Sequence, residues 1–434
     1  MNNVDIIIIG AGATGLMAAL TLAKAGKTVI LLEARDRCGG RIHTINENSF
    51  FKNTELGAEF IHGELPVTLH LLKEAGIAYH PASGEMVHYK NGRFDHEGGR
   101  SEGWPLLMEK LKKIDQDITI NEFLDKEFAG EIFNDLKQSV RQFVAGYDSA
   151  DPDDASTFAL RNEWLNEDNE AQYRVDGGYG KMIDYLEDEI KAAGGNVFLN
   201  SIIKEIKWQP GHVKAITSKG TTYEAGQLLI ALPLGVLQDE RDQVSAININ
   251  PPIPEKMDAI CKMGFGAIIK ILFEFDEPFW LDQQTEALAG KSLENMSFLL
   301  SDEEIPTWWT QCPEPGAVIT GWLGGPAAAV KKGVPEEEIL RQSLESLSMI
   351  FKRDFAELQS KLLAWRIMNW TNDPFTLGSY AYDTVNASVF RTILDQPVDN
   401  TLYFAGEYLY EGPAMGTVEA ALTSGQQVAK KIIG

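Results

Sequence analysis

Cysteine is scarce: Cys38, Cys261 and Cys312 are the only three among 434 residues. They lie far apart with no CxxC pairing, which argues against a disulfide framework and a zinc site and leaves reduced thiols. Positive charge is scarce too. The 39 lysines and arginines face 63 acidic residues, a net charge of -24, so the basic footprint of a nucleic-acid partner is missing. No apolar run approaches a membrane span, the stretch 428 to 434 included. Strand signal starts at residue 4, too early for a leader, an apolar signal core and a cleavage site, so a cytoplasmic protein without a membrane partner is expected. An acidic surface draws cationic small molecules over about a Debye length, but commonly serves only solubility. Apolar content of 44% with 24% charged residues is ordinary for a globular chain, and the length suits two domains.

What the chain does have is a dense opening. Val4-Asp5-Ile6-Ile7-Ile8-Ile9 reads as a buried parallel strand that stops at Gly10-Ala11-Gly12-Ala13-Thr14-Gly15. Leu16, Ala19, Leu20 and Ala23 keep helical spacing, Gly26 ends the segment, and Thr28 to Leu32 forms a second strand finishing in Glu33. In such a βαβ unit Gly10 permits the tight turn, Gly12 lets the backbone approach a pyrophosphate, and Gly15 lets helix and strand pack closely. Glu33 is placed to accept hydrogen bonds from a ribose hydroxyl, and Ala13, Thr14 and Ala34 are counted to the same wall. The unit alone leaves NAD and FAD both open. It continues in Arg35-Asp36-Arg37-Cys38-Gly39-Gly40-Arg41, where the glycine pair frees the backbone near a ligand and Arg35 and Arg41 are cationic donors for phosphate or ribose.

Further on, Gly57-Ala58 gives a side-chain-poor backbone suited to a flat ring, followed by two polar residues three apart, Glu59 and His62. Both are candidate substrate contacts, and Glu59 is also counted with Gly57 and Ala58 to the cofactor. A surface loop is the alternative for His62 and the plainer reading of Glu59. Pro66 to Gly76 is an amphipathic helix. Residues 80 to 105 are mixed polar, 106 to 146 a largely helical insert, and 147 to 157, with four aspartates, a solvated loop lacking the alternation of a calcium site. Five short strands between Asn196 and Leu232 suggest a small meander, and Ile203 among them is counted as a cofactor contact.

The most informative residue is Lys270. In Ile268-Ile269-Lys270-Ile271-Leu272-Phe273-Glu274-Phe275, Ile269, Ile271, Phe273 and Phe275 share one strand face, and Lys270 lies on the other between Ile268 and Leu272. A lysine there loses hydration, which disfavours the ammonium unless something compensates. An edge-strand lysine escaping to solvent is the alternative. The aromatic stretch 278 to 325, with Trp280, Trp308, Trp309 and Trp322, reads as core or pocket wall, and Pro335 to Phe351 as an amphipathic helix.

The opening to Arg41, together with residues 54 to 63, 263 to 280 and 370 to 421, resembles the flavin-dependent amine oxidase family of monoamine oxidases, polyamine oxidases and histone lysine demethylases. The resemblance implies FAD and an α/β, two-domain fold: a Rossmann-like FAD domain from residues 1–79, 180–262 and 372–434, and a mixed α+β substrate domain from 80–179 and 263–371. It implies that Lys270 hydrogen-bonds through a water to flavin N5, that Tyr380 flanks the amine, and that Trp370 lies beside the flavin. His62 matches a polar position of polyamine-oxidising members, and Phe375 is counted to the substrate. Gly406 and Glu407 fall near the ribityl or diphosphate, and Thr417-Val418 at the pyrimidine end. Ser379 stands where monoamine oxidases carry the cysteine that bonds the flavin, so FAD should be non-covalent. Thr417 departs from their second cage tyrosine, and a threonine there also occurs in demethylase-like members.

The expected activity is oxidation of a primary or secondary amine, monoamine or polyamine, with O2 reduced to hydrogen peroxide, by a monomer or homodimer with no metal. An L-amino-acid oxidase would need a carboxylate-clamping arginine, for which Arg161, Arg174 and Arg366 are available. A flavin-holding scaffold with little turnover is the reading from outside enzymology.

Overall fold

The computed structural model describes residues 4–47, 49–96, 103–166, 172–239 and 244–434; part of the polar stretch 80 to 105 lies outside them. The opening strand Ile6–Ile9 is central in a five-stranded parallel sheet, flanked by Val29–Leu32 and Gln227–Ile230, with Asn196–Phe198 and Leu402–Phe404 outermost. Its alternate residues feed two cores. Ile6 and Ile8 join the one with helix Ala13–Lys24, and Ile7 and Ile9 join the one on the opposite face. A run apolar at every position is what a sheet covered on both faces requires.

The strands between residues 196 and 232 divide in a way the sequence did not show. Ile203–Gln209, His212–Thr217 and Thr222–Ala225 form the expected meander, extended by Asn248–Asn250, while the outer two strands enter the parallel sheet instead. Both kinds of strand are short and bounded by turns, so local pattern cannot separate them.

A seven-stranded, mostly antiparallel sheet forms the second body of structure, with Ile268–Phe275 between Val318–Gly324 and the edge strand Leu362–Asn369. Ile269, Ile271, Phe273 and Phe275 pack into one core there, as the alternation predicts. A three-stranded sheet links the regions: Gln172–Val175 pairs with Phe60–His62 on one side and Tyr79–Pro81 on the other, setting Arg174 opposite Phe60. The helical insert contains Trp104–Leu111, Ile120–Glu127 and Asn134–Gly146 around their own core. The loop after it is not the solvated turn expected. Asp148, Ser149 and Ala150 are buried, because the loop carries the cavity wall described next rather than facing water.

Candidate active site

One cavity of about 2040 Å³ is bordered by every candidate cofactor, substrate and catalytic residue of the amine-oxidase resemblance except Gly15. Gly15 faces the opening strand: a Cβ there would lie 1.9 Å from the Gly10 carbonyl oxygen, so close packing requires glycine there. Gly10 holds φ +100°, a conformation that side chains disfavour. Helix Ala13–Lys24 begins at Gly12 with no side-chain cap, so its first N–H groups are free for an anion. A Cβ on Gly12 would meet nothing within 4 Å, which leaves this backbone open to a ligand. Glu33 is buried and accepts from the Ala11 amide at 2.8 Å and the Arg35 amide at 2.9 Å, one bond per carboxylate oxygen. Each oxygen keeps accepting capacity for a ribose hydroxyl.

The two arginines are held rather than loose. Arg35 donates to Asp373 at 3.0 Å and Thr376 at 3.1 Å, and its guanidinium stands 5.9 Å from the Trp370 ring and 5.4 Å from the Phe375 ring. This sets Phe375 beside the nucleotide-side arginine, whereas the sequence reading counted it to the substrate. Arg41 donates to the Ser379 carbonyl at 2.6 Å and to buried Glu407 at 2.8 Å, which also takes the Ala381 amide. Gly57 cannot carry a side chain, because its Cβ would lie 1.8 Å from the Arg41 carbonyl oxygen and 3.4 Å from the Trp370 ring. Trp370 is locked by its indole N–H on the Leu56 carbonyl at 2.9 Å.

At the far end Lys270 is fully buried. Its ammonium donates to Glu59 Oε2 at 2.8 Å and to the Gly57 carbonyl at 3.1 Å. The compensation that a buried lysine demands is thus a direct ion pair. Glu59 is accordingly not the solvated residue of the plainer sequence reading. Its other oxygen accepts from Arg174 Nε at 3.2 Å and the Trp309 indole at 3.0 Å. Burial alone would push the Glu59 carboxyl up, but Lys270 and Arg174 together hold it below the usual carboxylate range. His62 is half-buried on its strand with no partner at Nδ1, and burial lowers it to about 4, so it is neutral near pH 7.

Tyr380 donates its hydroxyl to the Tyr147 carbonyl, and burial pushes that phenol upward. Its ring is crowded by Gly416, where a Cβ would come within 2.8 Å. Thr417 caps helix Val418–Ile433: its hydroxyl accepts from the Ala420 amide at 3.3 Å and donates to the Ala414 carbonyl at 2.6 Å. Ser379 Oγ is buried on the cavity wall with no partner. Among the described residues no cluster could hold a metal ion and no helix is long and apolar enough to cross a membrane.

An open helix N-terminus, a ribose-ready acid and a flat Gly57-Ala58 wall in one cavity fit a dinucleotide with a planar ring. Sequence reasoning missed Tyr147, left Trp309 as core or pocket wall without a role, and weighed Arg174 only as a carboxylate clamp. One signal was available for Trp309. Adjacent strand residues face opposite ways, and with Trp308 fully buried in the core, Trp309 has to look out into the cavity.

Known proteins resemble this chain over nearly its whole length. A family model described as flavin containing amine oxidoreductase matches residues 13–113 and 101–433. Polyamine oxidase 3 of Oryza sativa subsp. japonica is 27% identical, over 98% of this chain and 88% of its own length. Lysine-specific histone demethylase 2 of Homo sapiens is also 27% identical over 99% of the chain, which spans 53% of that longer protein. Among solved structures, putrescine oxidase bound to putrescine superposes with a TM-score of 0.79 at 21% identity, covering 99% of this chain and 98% of that one. Cyclohexylamine oxidase from Brevibacterium oxydans is similar at 20% identity over 99% of both chains. With the family match running over nearly all of its length, the chain belongs to the flavin-containing amine oxidoreductases.

Proposed function

We propose that the protein oxidises a primary or secondary amine to an imine, which water hydrolyses to an aldehyde and an amine, with O2 reduced to hydrogen peroxide. The cofactor of this reading is FAD, bound without a covalent link because Ser379 offers no thiol. Residues 1–79, 180–262 and 372–434 would hold it, and 80–179 and 263–371 would shape the substrate side. Bound FAD supplies a two-electron acceptor for the α-carbon hydride.

The observation that carries the reading is that one cavity joins the nucleotide-ready end, Gly12 and Glu33, to Lys270 and Tyr380. Tyr380 gives an aromatic face to the amine, and its tethered hydroxyl keeps the ring in place. Neutral His62 leaves the neighbouring site uncharged, so a neutral amine meets no cationic competitor there. A polyamine suits the cavity further, since Glu64, Asp135, Asp302, Glu303 and Glu411 also border it and would receive distal ammonium groups.

The amino-acid alternative has lost its candidates. Arg161 donates to the Ile114 carbonyl, Arg174 is spent on Glu59 and two carbonyls, and Arg366 pairs with Glu47; none borders the cavity. The test is an anaerobic screen for flavin bleaching across polyamines, monoamines and L-amino acids. Bleaching by polyamines first is expected. Amino acids bleaching while amines do not would overturn the substrate claim, and silence across all three would favour a scaffold.

A further inference from the structure

Lys270 and Glu59 belong to a charge cluster of which the amine-oxidising reading uses only the lysine. Lys270 has no exposed surface, whereas the Glu59 side chain keeps 5% of its own. Two of the three Lys270 N–H groups are pinned, one on Glu59 and one on the Gly57 carbonyl, and its ammonium lies 5.3 Å from the Trp309 ring. The third N–H has no nitrogen or oxygen acceptor among the described residues.

The carboxylate is itself fixed from the far side. Arg174, which donates to it, also donates to the Cys312 carbonyl at 2.8 Å and the Thr310 carbonyl at 2.9 Å, and lies 4.6 Å from the Phe60 ring. Across the sheet Lys270 is flanked by Trp322 and Met368, neither charged. The remaining ionisable group that acts on it is Glu55, a buried carboxyl held by the Tyr179 amide and Thr44 and raised to about 7 chiefly by burial.

We propose that Glu59 is a positioning residue: through one direct ion pair it keeps the Lys270 ammonium charged and aimed, while Arg174 and Trp309 hold the carboxylate still. Glu59 is then the internal counterion of the lysine and is not available to a substrate ammonium. The proposal rests on the amine-oxidising reading only for where Lys270 acts; the pairing stands apart from it.

Glu59→Gln keeps the shape of the side chain and removes its charge. Arg174 and Lys270 then share a buried site that has lost the carboxylate between them, and the acid left to act on Lys270 is Glu55, mostly protonated below about pH 7. A guanidinium does not deprotonate, so Lys270 is the group that gives up its proton. Its folded-state affinity for the proton drops below the unfolded one, the unfolded chain binds more protons, and stability rises with pH.

The experiment records thermal midpoints of the FAD-loaded protein from about pH 6 to about pH 9 for the parent, Glu59→Gln, Lys270→Met and the double variant. Glu59→Gln should melt below the parent, with a deficit that shrinks as pH rises and that loses its pH dependence in the Lys270→Met background. Glu59→Asp, which retains the charge, should restore the parent's profile at a lower midpoint. The anaerobic bleaching rate of Glu59→Gln should gain an inflection with pH beyond those of the parent, which Glu55 and the substrate amine contribute to both proteins. A Glu59→Gln protein that follows the parent in melting and bleaching at every pH overturns the proposal, as does a pH-dependent deficit that persists without Lys270. A parent protein that no amine bleaches would sink the amine-oxidising reading and leave the melting result standing.

Discussion

The two ends of the cavity are built in opposite ways. The nucleotide end is backbone: an uncapped helix start at Gly12, a positive-φ turn at Gly10 and a carboxylate, Glu33, all within one continuous stretch. The lysine end is side chain: Lys270, Glu59, Arg174 and Trp309 come from four strands or loops and meet only in the folded molecule. A backbone device has to be written locally, because the residues that shape a turn are the turn. A side-chain cluster carries no such constraint, so its members can sit anywhere in the sequence that the sheets bring together.

The sharpest way to break this contrast is Lys270→Met. It should slow flavin reduction or reoxidation by about 100-fold or more, the scale of losing one preorganised donor, while FAD stays bound, as stopped-flow absorbance would show. Unchanged rates in both half-reactions would remove the chemistry from that end. Glu33→Ala should act in reverse. Losing a charged acceptor weakens FAD by roughly tenfold to a hundredfold in a fluorescence titration, with turnover at saturating FAD unaltered. The smallest effect is expected from Thr417→Ala, which loses a helix cap worth about 1 kcal/mol and should lower stability with little change in amine KM. A large rise in KM at unchanged stability would return Thr417 to the substrate wall.

The same contrast explains what was legible beforehand. The parallel sheet followed from Ile6 to Ile9 and Glu33, because a doubly covered strand must be apolar throughout. The facing of Lys270 followed from strand alternation. Its partner did not, since Glu59 lies 211 residues away and no local pattern marks a carboxylate as a counterion. The capping role of Thr417 was hidden for a related reason: a threonine three residues before the amide it caps looks the same whether or not a ligand lies alongside. The burial of Asp148 and Ser149 escaped notice because aspartates and serines predict water, and here the loop instead supplies the carbonyl that tethers Tyr380.

The bond from the Trp309 indole to Glu59 spans 250 residues of chain. A contact of such separation closes a long loop, and it holds only in the assembled tertiary structure. In a variant that keeps Trp309 as its one tryptophan, emission should change when the indole leaves water for the carboxylate, so this bond can be followed as the two regions come together.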